Sequence, residues 1–210
     1  MKPLIAVIDY GMGNLHSVHK ALERAGGRVC VTDSARRVRE AGAVVLPGVG
    51  AFGEAVRRLG ARRLLGALDD ALSQGKPFLG ICLGLQLLFE RSEESRGAKG
   101  LGFFKGPVVR FASAPRLKVP HIGWNTLSLE SVRRVPCLRG IRGSDYFYFV
   151  HSYYPVPEDR ECRAASTRYG TSFCSAAARG PVFASQFHPE KSGALGLRLL
   201  KNFVNEAERC

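Results

Sequence analysis

Apolar runs alternate with longer stretches of helical period through the first half of the chain. The runs are LIAVID (4–9), RVCVT (28–32), AVVLP (43–47) and PFLGI (77–81). Between and after them the pattern predicts helices from Asn14 to about Gly26, around Phe52 to Ser73, and onward from Leu83. This β-α-β-α order belongs to an α/β fold with a mostly parallel central sheet flanked by helices on both faces. Ligands in such sheets bind at the carboxyl ends of the strands, where the loops after Asp9, Pro47 and Ile81 fall.

From Gly106 the texture changes. GPVVRF (106–111), HIGWNTLSLE (121–130), DYFYFVHSYY (145–154), CRAAST (162–167) and TSFCSAA (171–177) are strand-like pieces between Gly-, Pro- and Arg-rich turns, so the second half is expected to add antiparallel strands. A last strand in GPVFASQFH (180–188) leads through PEKS into a C-terminal helix, where Leu195, Leu199 and Phe203 repeat every four residues and Ser192 stands as N-cap. The polar segment RSEESRGAKG (91–100) reads as a mobile loop. There is no internal repeat, and residues 1–210 are expected to form one domain, burying about 70 % of the surface of the unfolded chain.

Reactive residue types sit at the predicted strand ends. Gly80-Ile81-Cys82-Leu83-Gly84 has the G-x-nucleophile-x-G form of a nucleophile elbow, where a strand turns abruptly into a helix and the nucleophile is strained above the sheet. Cys82 then stands at a helix N-terminus, whose partial positive charge and unpaired amides favour the thiolate. Of five histidines, His188 ends a predicted strand on the same sheet edge, and Glu190 follows two residues on to accept from the imidazole and orient it. PGVGAFGEA (47–55) is a glycine-rich loop whose Val49 and Gly50 amides, with that of Leu83, can receive charge on a tetrahedral intermediate. It lacks the G-K-[ST] and G-x-G-x-x-G spacings of phosphate and dinucleotide loops. Taken singly, Cys82 also reads as a buried structural thiol and His-Pro-Glu as a surface turn; together they read as a site. His121 and His151 read as structural, hydrogen-bonded strand histidines.

Composition and charge narrow the function. There are 31 Lys plus Arg against 18 Asp plus Glu, a net charge of +13, which by itself suggests an anionic partner. The basic residues fall in short groups such as VRRLGARRLLGAL (56–68) and VRRVPCLRGIRG (132–143), without aromatic interleaving or a DNA-binding motif. The expected reading is a basic solvated surface that suits an acidic protein partner, not nucleic acid. No stretch approaches the ~20 apolar residues of a membrane span, and the apolar run of MKPLIAVIDYG is too short for a signal peptide. Six cysteines without a C-x-x-C or a paired Cys/His spacing argue against a metal and against a disulfide framework, so a cytoplasmic protein with reduced thiols is expected.

The motifs Gly80-Ile81-Cys82-Leu83-Gly84-Leu85-Gln86, Pro47-Gly48-Val49-Gly50 and Phe187-His188-Pro189-Glu190 together resemble the class I glutamine amidotransferases, whose triad is Cys, His and Glu in that order. Asp9-Tyr10-Gly11-Met12-Gly13-Asn14, Pro120-His121-Ile122-Gly123-Trp124-Asn125, Tyr148-Phe149-Val150-His151-Ser152-Tyr153 and Glu190-Lys191-Ser192 are similar, more narrowly, to the glutaminase subunits of imidazole glycerol phosphate synthases. The likeness runs from Ile5 to Phe203, with Leu85 and Ile122 where many relatives carry methionine. It implies a flavodoxin-like fold and cofactor-free glutamine hydrolysis by Cys82, His188 and Glu190. It also implies an oxyanion site at Val49, Gly50 and Leu83, and a grip on the amino acid end of glutamine by Gln86, Ser152 and Tyr153. A (β/α)₈-barrel cyclase subunit would complete a heterodimer, docking near Trp124, Tyr148, Asn14 and Lys191 and consuming the ammonia. Two alternatives stay open: another class I glutaminase, which should lack the Gly-Trp-Asn and Tyr-Phe-Val-His pieces, and a cysteine hydrolase or binding module on a flavodoxin-like fold.

Overall fold

Continuous apolar strands require cover on both faces, and the computed structural model, which describes residues 2–112, 117–130 and 135–209, supplies it from six helices. Val132, Arg133 and Arg134 of the second basic group, and Cys210, lie outside the described residues. In chain order the first half runs β1 (Leu4–Ile8), α1 (Leu15–Arg24), β2 (Arg28–Thr32), α2 (Ala35–Glu40), β3 (Ala43–Gly48), α3 (Phe52–Ala61), α4 (Leu65–Ser73), β4 (Phe78–Cys82) and α5 (Leu83–Leu87). The second half runs β5 (Arg91–Ser92), β6 (Pro107–Arg110), β7 (His121–Thr126), β8 (Ser128–Leu129), β9 (Tyr146–His151), β10 (Tyr153–Pro155), β11 (Arg163–Tyr169), β12 (Thr171–Arg179), β13 (Val182–Ser185) and α6 (Gly193–Ala207).

Eight strands build the central sheet in the order β2-β1-β3-β4-β13-β12-β11-β8. The run from β2 to β13 is parallel, and β12, β11 and β8 extend it antiparallel, which is the α/β architecture the sequence predicts. Because side chains alternate along a strand, Ile5, Val7, Val45 and Ile81 pack with α1 and α6, while Ile8, Val44 and Leu46 pack with α2 to α5. Outside this sheet, β7 and β9 form an antiparallel ribbon, and β10, β6 and β5 a small third sheet.

Four details depart from the sequence reading. The helix expected over Phe52 to Ser73 is two helices, because continuing it past Leu59 would turn Arg63 onto the buried face one turn later. The backbone instead takes φ +56 at Arg63, leaving that side chain exposed and Leu64 buried. Helix α2 was not expected: its six residues bury only Val38, too few apolar positions to show a period. The segment 91–100, expected to be mobile, is tied down. Its first residues form β5 beside β6, the Glu94 carboxylate accepts from the Phe52 amide at 2.7 Å, and Ser95 Oγ accepts from the Gly53 amide at 3.0 Å. Ser192 does stand at the N-cap of α6, but its hydroxyl does not cap the helix; it donates to the His188 carbonyl at 2.6 Å and accepts from the Tyr148 amide at 3.1 Å.

Candidate active site

Strand β4 lies between β3 and β13, so its carboxyl end faces a loop from each neighbour. Register places Gly48 beside Cys82 on one side, and Ser185 beside Ile81 on the other, so that Gln186, Phe187 and His188 run out past the cysteine. Cys82 has φ +55 and ψ −104, a left-handed conformation that a side-chain-bearing residue adopts only under constraint. The flanking glycines explain how the turn is possible. A Cβ on Gly84 would strike the Leu46 backbone carbonyl, and one on Gly80 would lie 2.9 Å from the Ala184 Cβ. Helix α5 is only five residues long, so the expected helix-end field at the thiol is that of one turn and its free amides.

Cys82 is 6 % exposed, and its Sγ points to the Val150 carbonyl at 3.9 Å. It lines a cavity of about 440 Å³ together with Val49, Gly50, Leu83, Gln86, Ser152 and Tyr153, so the expected nucleophile, oxyanion and substrate residues share one space. Gly50 holds φ +93 at its rim. The Gln86 amide nitrogen is already committed to the wall: it donates to the Tyr153 carbonyl at 3.0 Å and to Gln186 Oε1 at 3.2 Å, leaving its oxygen for a ligand.

On the β13 side, His188 Nδ1 meets Glu190 Oε1 at 2.8 Å, and both side chains are 2 % exposed. His188 is held from behind, its amide donating to the Tyr148 carbonyl at 2.9 Å and its carbonyl accepting from Ser192. Nε2 is buried without a formed hydrogen bond, and Cys82 is the neighbour whose charge reaches it. Burial alone would push the imidazole pKa down, but Cys82 and Glu190 outweigh it and raise the pKa to about 10.

Trp124, Tyr148 and Lys191 form a separate group outside the cavity. Trp124 is 55 % exposed and meets Tyr148 edge-on at 6.0 Å across the β7–β9 pair, and Lys191 Nζ stands 5.8 Å over the Tyr148 ring. Ile122 and Tyr146, also exposed, extend this apolar strip. The Asn14 side chain caps α1 by accepting from the Ser17 amide, and α1 packs beside the turn at Pro189–Lys191.

Beneath the strip, His121 and His151 are in contact, Nδ1 to Nε2 at 3.1 Å, in a chain that begins at Asn125 and ends where His151 Nδ1 donates to the Tyr153 carbonyl at 2.9 Å. Burial lowers their pKa values to about 4 and about 3, so both are neutral near pH 7. Each ring then donates from Nδ1 and accepts at Nε2, which is the structural use expected of them.

Sequence reasoning missed two residues. Gln186 is fully buried and donates from Nε2 to Cys82 Sγ at 3.6 Å, and Glu94 lines the cavity as a carboxylate. A single polar residue has no period to betray it, although a glutamine directly after an apolar strand and two residues before His188 is a usable signal.

An elbow cysteine, an amide-lined cavity and a buried His–Glu pair suit attack on an amide carbonyl. A family model described as glutamine amidotransferase class-I matches residues 6–207, and the chain belongs to that family. Among curated relatives it is 53 % identical to the imidazole glycerol phosphate synthase subunit HisH of Thermosynechococcus vestitus, over 96 % of each chain. It is 52 % identical to the subunit of the same name from Gloeothece citriformis, over 97 % of this chain and 96 % of that one. Among solved structures, PurLQS from Thermotoga maritima matches with a TM-score of 0.75 at 20 % identity, covering 98 % of this chain and 99 % of that one. A glutamine amidotransferase from the same organism matches with a TM-score of 0.62 at 18 % identity, over 90 % of this chain and 77 % of that one. These two likenesses speak for the fold alone.

Proposed function

We propose that the chain is the glutaminase subunit of an imidazole glycerol phosphate synthase, acting in the cytoplasm as one glutamine amidotransferase domain. Identity near 50 % to HisH subunits over nearly the whole chain favours it over glutaminases of other pathways. The observation that carries the chemistry is the strained Cys82 between the glycine loop and the His188–Glu190 pair.

In this reading the proton given up by Cys82 rests on His188. The thiolate attacks the side-chain carbonyl of glutamine, and the amides of Leu83 and the Val49–Gly50 segment receive the oxyanion. His188, oriented by Glu190, gives its proton to the departing ammonia and leaves a glutamyl thioester on Cys82. The same imidazole, now neutral, takes a proton from water as it attacks the thioester, releasing glutamate and restoring the resting pair. Gln86 Oε1, Ser152 and Tyr153 grip the amino acid end of the substrate, and Glu94 faces its ammonium group.

Ammonia passes to a (β/α)₈-barrel cyclase subunit, which uses it to form imidazole glycerol phosphate and an aminoimidazole carboxamide ribonucleotide. That partner docks in a heterodimer on the side bearing Trp124, Tyr148, Lys191 and Asn14. The test is Cys82→Ala: glutamine hydrolysis is expected to vanish with the fold and glutamine binding intact, while ammonia added to the assembled complex still supports ring closure. A Cys82→Ala protein that hydrolyses glutamine refutes the mechanism.

A further inference from the structure

Tyr10 follows β1 by two residues and lies beneath Gly48, the residue that pairs with Cys82. It is fully buried, and its hydroxyl has no hydrogen-bond partner. The hydroxyl lies against the Cα of Gly48, where a Cβ would collide with it. Burial first, then the nearness of Cys82, push its pKa up, so it remains a neutral donor. Two neighbours in its loop bear on the same stretch: Gly13 packs on Pro47 and Gly48, and the Met12 methyl approaches Gly50. Phenylalanine would fill the same space, so core packing accounts for the ring and leaves the oxygen unexplained.

Building on the glutaminase reading, we propose that Tyr10 is a positioning residue for the oxyanion loop: its hydroxyl donates to the Gly48 carbonyl when the Gly48–Val49 peptide turns its N–H into the cavity. The two ends of a planar trans peptide point in opposite directions. Aiming the Val49 amide at the substrate therefore swings the Gly48 carbonyl back toward the protein, where the unpaired hydroxyl stands. Gly48, lacking a Cβ, lets that approach happen. The hydroxyl gains its partner only in the competent conformation, and such a differential contact is what shifts a population.

The experiment compares the full chain with its Tyr10→Phe variant, each assembled with the synthase subunit. The expected result is an approximately tenfold lower kcat for glutamine with KM within about twofold, the mark of an interaction made in the transition state alone. The thermal midpoint is expected to be unchanged or higher, because a buried unpaired group is removed. Alkylation of Cys82 by iodoacetamide, which needs no oxyanion site, is expected at the wild-type rate. Wild-type kcat in the variant overturns the proposal, and so does an equal loss in hydrolysis and alkylation, which would assign the hydroxyl to the thiol. Should Tyr10→Phe fail to fold, 4-fluorophenylalanine at position 10 keeps the bulk without the donor and is read by the same criteria. Hydrolysis by Cys82→Ala would sink the glutaminase reading itself, whereas wild-type turnover by Tyr10→Phe sinks only this inference.

Discussion

Replacing Glu190 with glutamine keeps an acceptor opposite His188 Nδ1 but removes the charge. In the folded protein the His188 imidazole has its pKa raised from 6.5 to about 10, against its own burial, by Cys82 and Glu190. A folded-state pKa above the unfolded value contributes stability that is fully present below the unfolded pKa and is lost as pH rises through the folded one. Here the window runs from 6.5 to about 10. Part of that rise is Cys82's own proton carried on the imidazole, which takes up none from water, so of the roughly 5 kcal/mol the interval represents only about 2 kcal/mol disappears toward pH 10. In Glu190→Gln the burial that opposes the charge is answered by Cys82 alone, so the alkaline loss becomes shallower. Urea unfolding of both proteins at fixed ionic strength, at steps from about pH 6.5 to pH 10, measures it; lysine and tyrosine titrations cancel in the difference. The wild-type advantage is expected to be largest near neutrality and to shrink by about 1 kcal/mol toward pH 10 with m unchanged. An advantage that stays constant or grows with pH would refute the assignment of Glu190 as the group that holds the imidazolium. Glutamine hydrolysis should fall less in this variant than in His188→Ala, for which a loss of ~10²-fold or more is expected, since one removes the orienting group and the other the proton carrier.

Glu94→Gln preserves the acceptor for the Phe52 amide but not the charge facing the cavity, so KM for glutamine should rise about tenfold while iodoacetamide labels Cys82 as before; an unchanged KM would remove Glu94 from substrate recognition. Docking of the synthase subunit should raise glutamine hydrolysis ~10²-fold, which takes only about 2.7 kcal/mol of differential binding to the competent loop. Trp124→Ala should lower that activation at subsaturating partner, and equal turnover with and without partner would end the gating idea.

Legibility in the sequence followed the range of the interactions concerned. The Cys82 elbow is a local device, with glycines two residues to each side of the cysteine, so five consecutive letters expose it. The parallel core is equally plain, because strands covered on both faces are apolar at every position. The break at Arg63 was hidden, since it depends on which face of α3 meets the sheet. Gln186 reaches Cys82 only through the pairing of β13 with β4, and Glu94 enters the cavity only because its loop is fastened to the start of α3. Those contacts join residues far apart in the chain, and no spacing rule foretells them.

His121 and His151 are bound to change together. Each imidazole donates from one nitrogen and accepts at the other, so losing either ring strands a buried group on its neighbour at a cost of about 1–3 kcal/mol. Exchanging both rings at once for apolar residues of similar shape strands nothing between them. Selection therefore meets the two histidines as one heritable unit: a lineage that drops the first is handicapped until it drops the second, and descendants should carry both or neither.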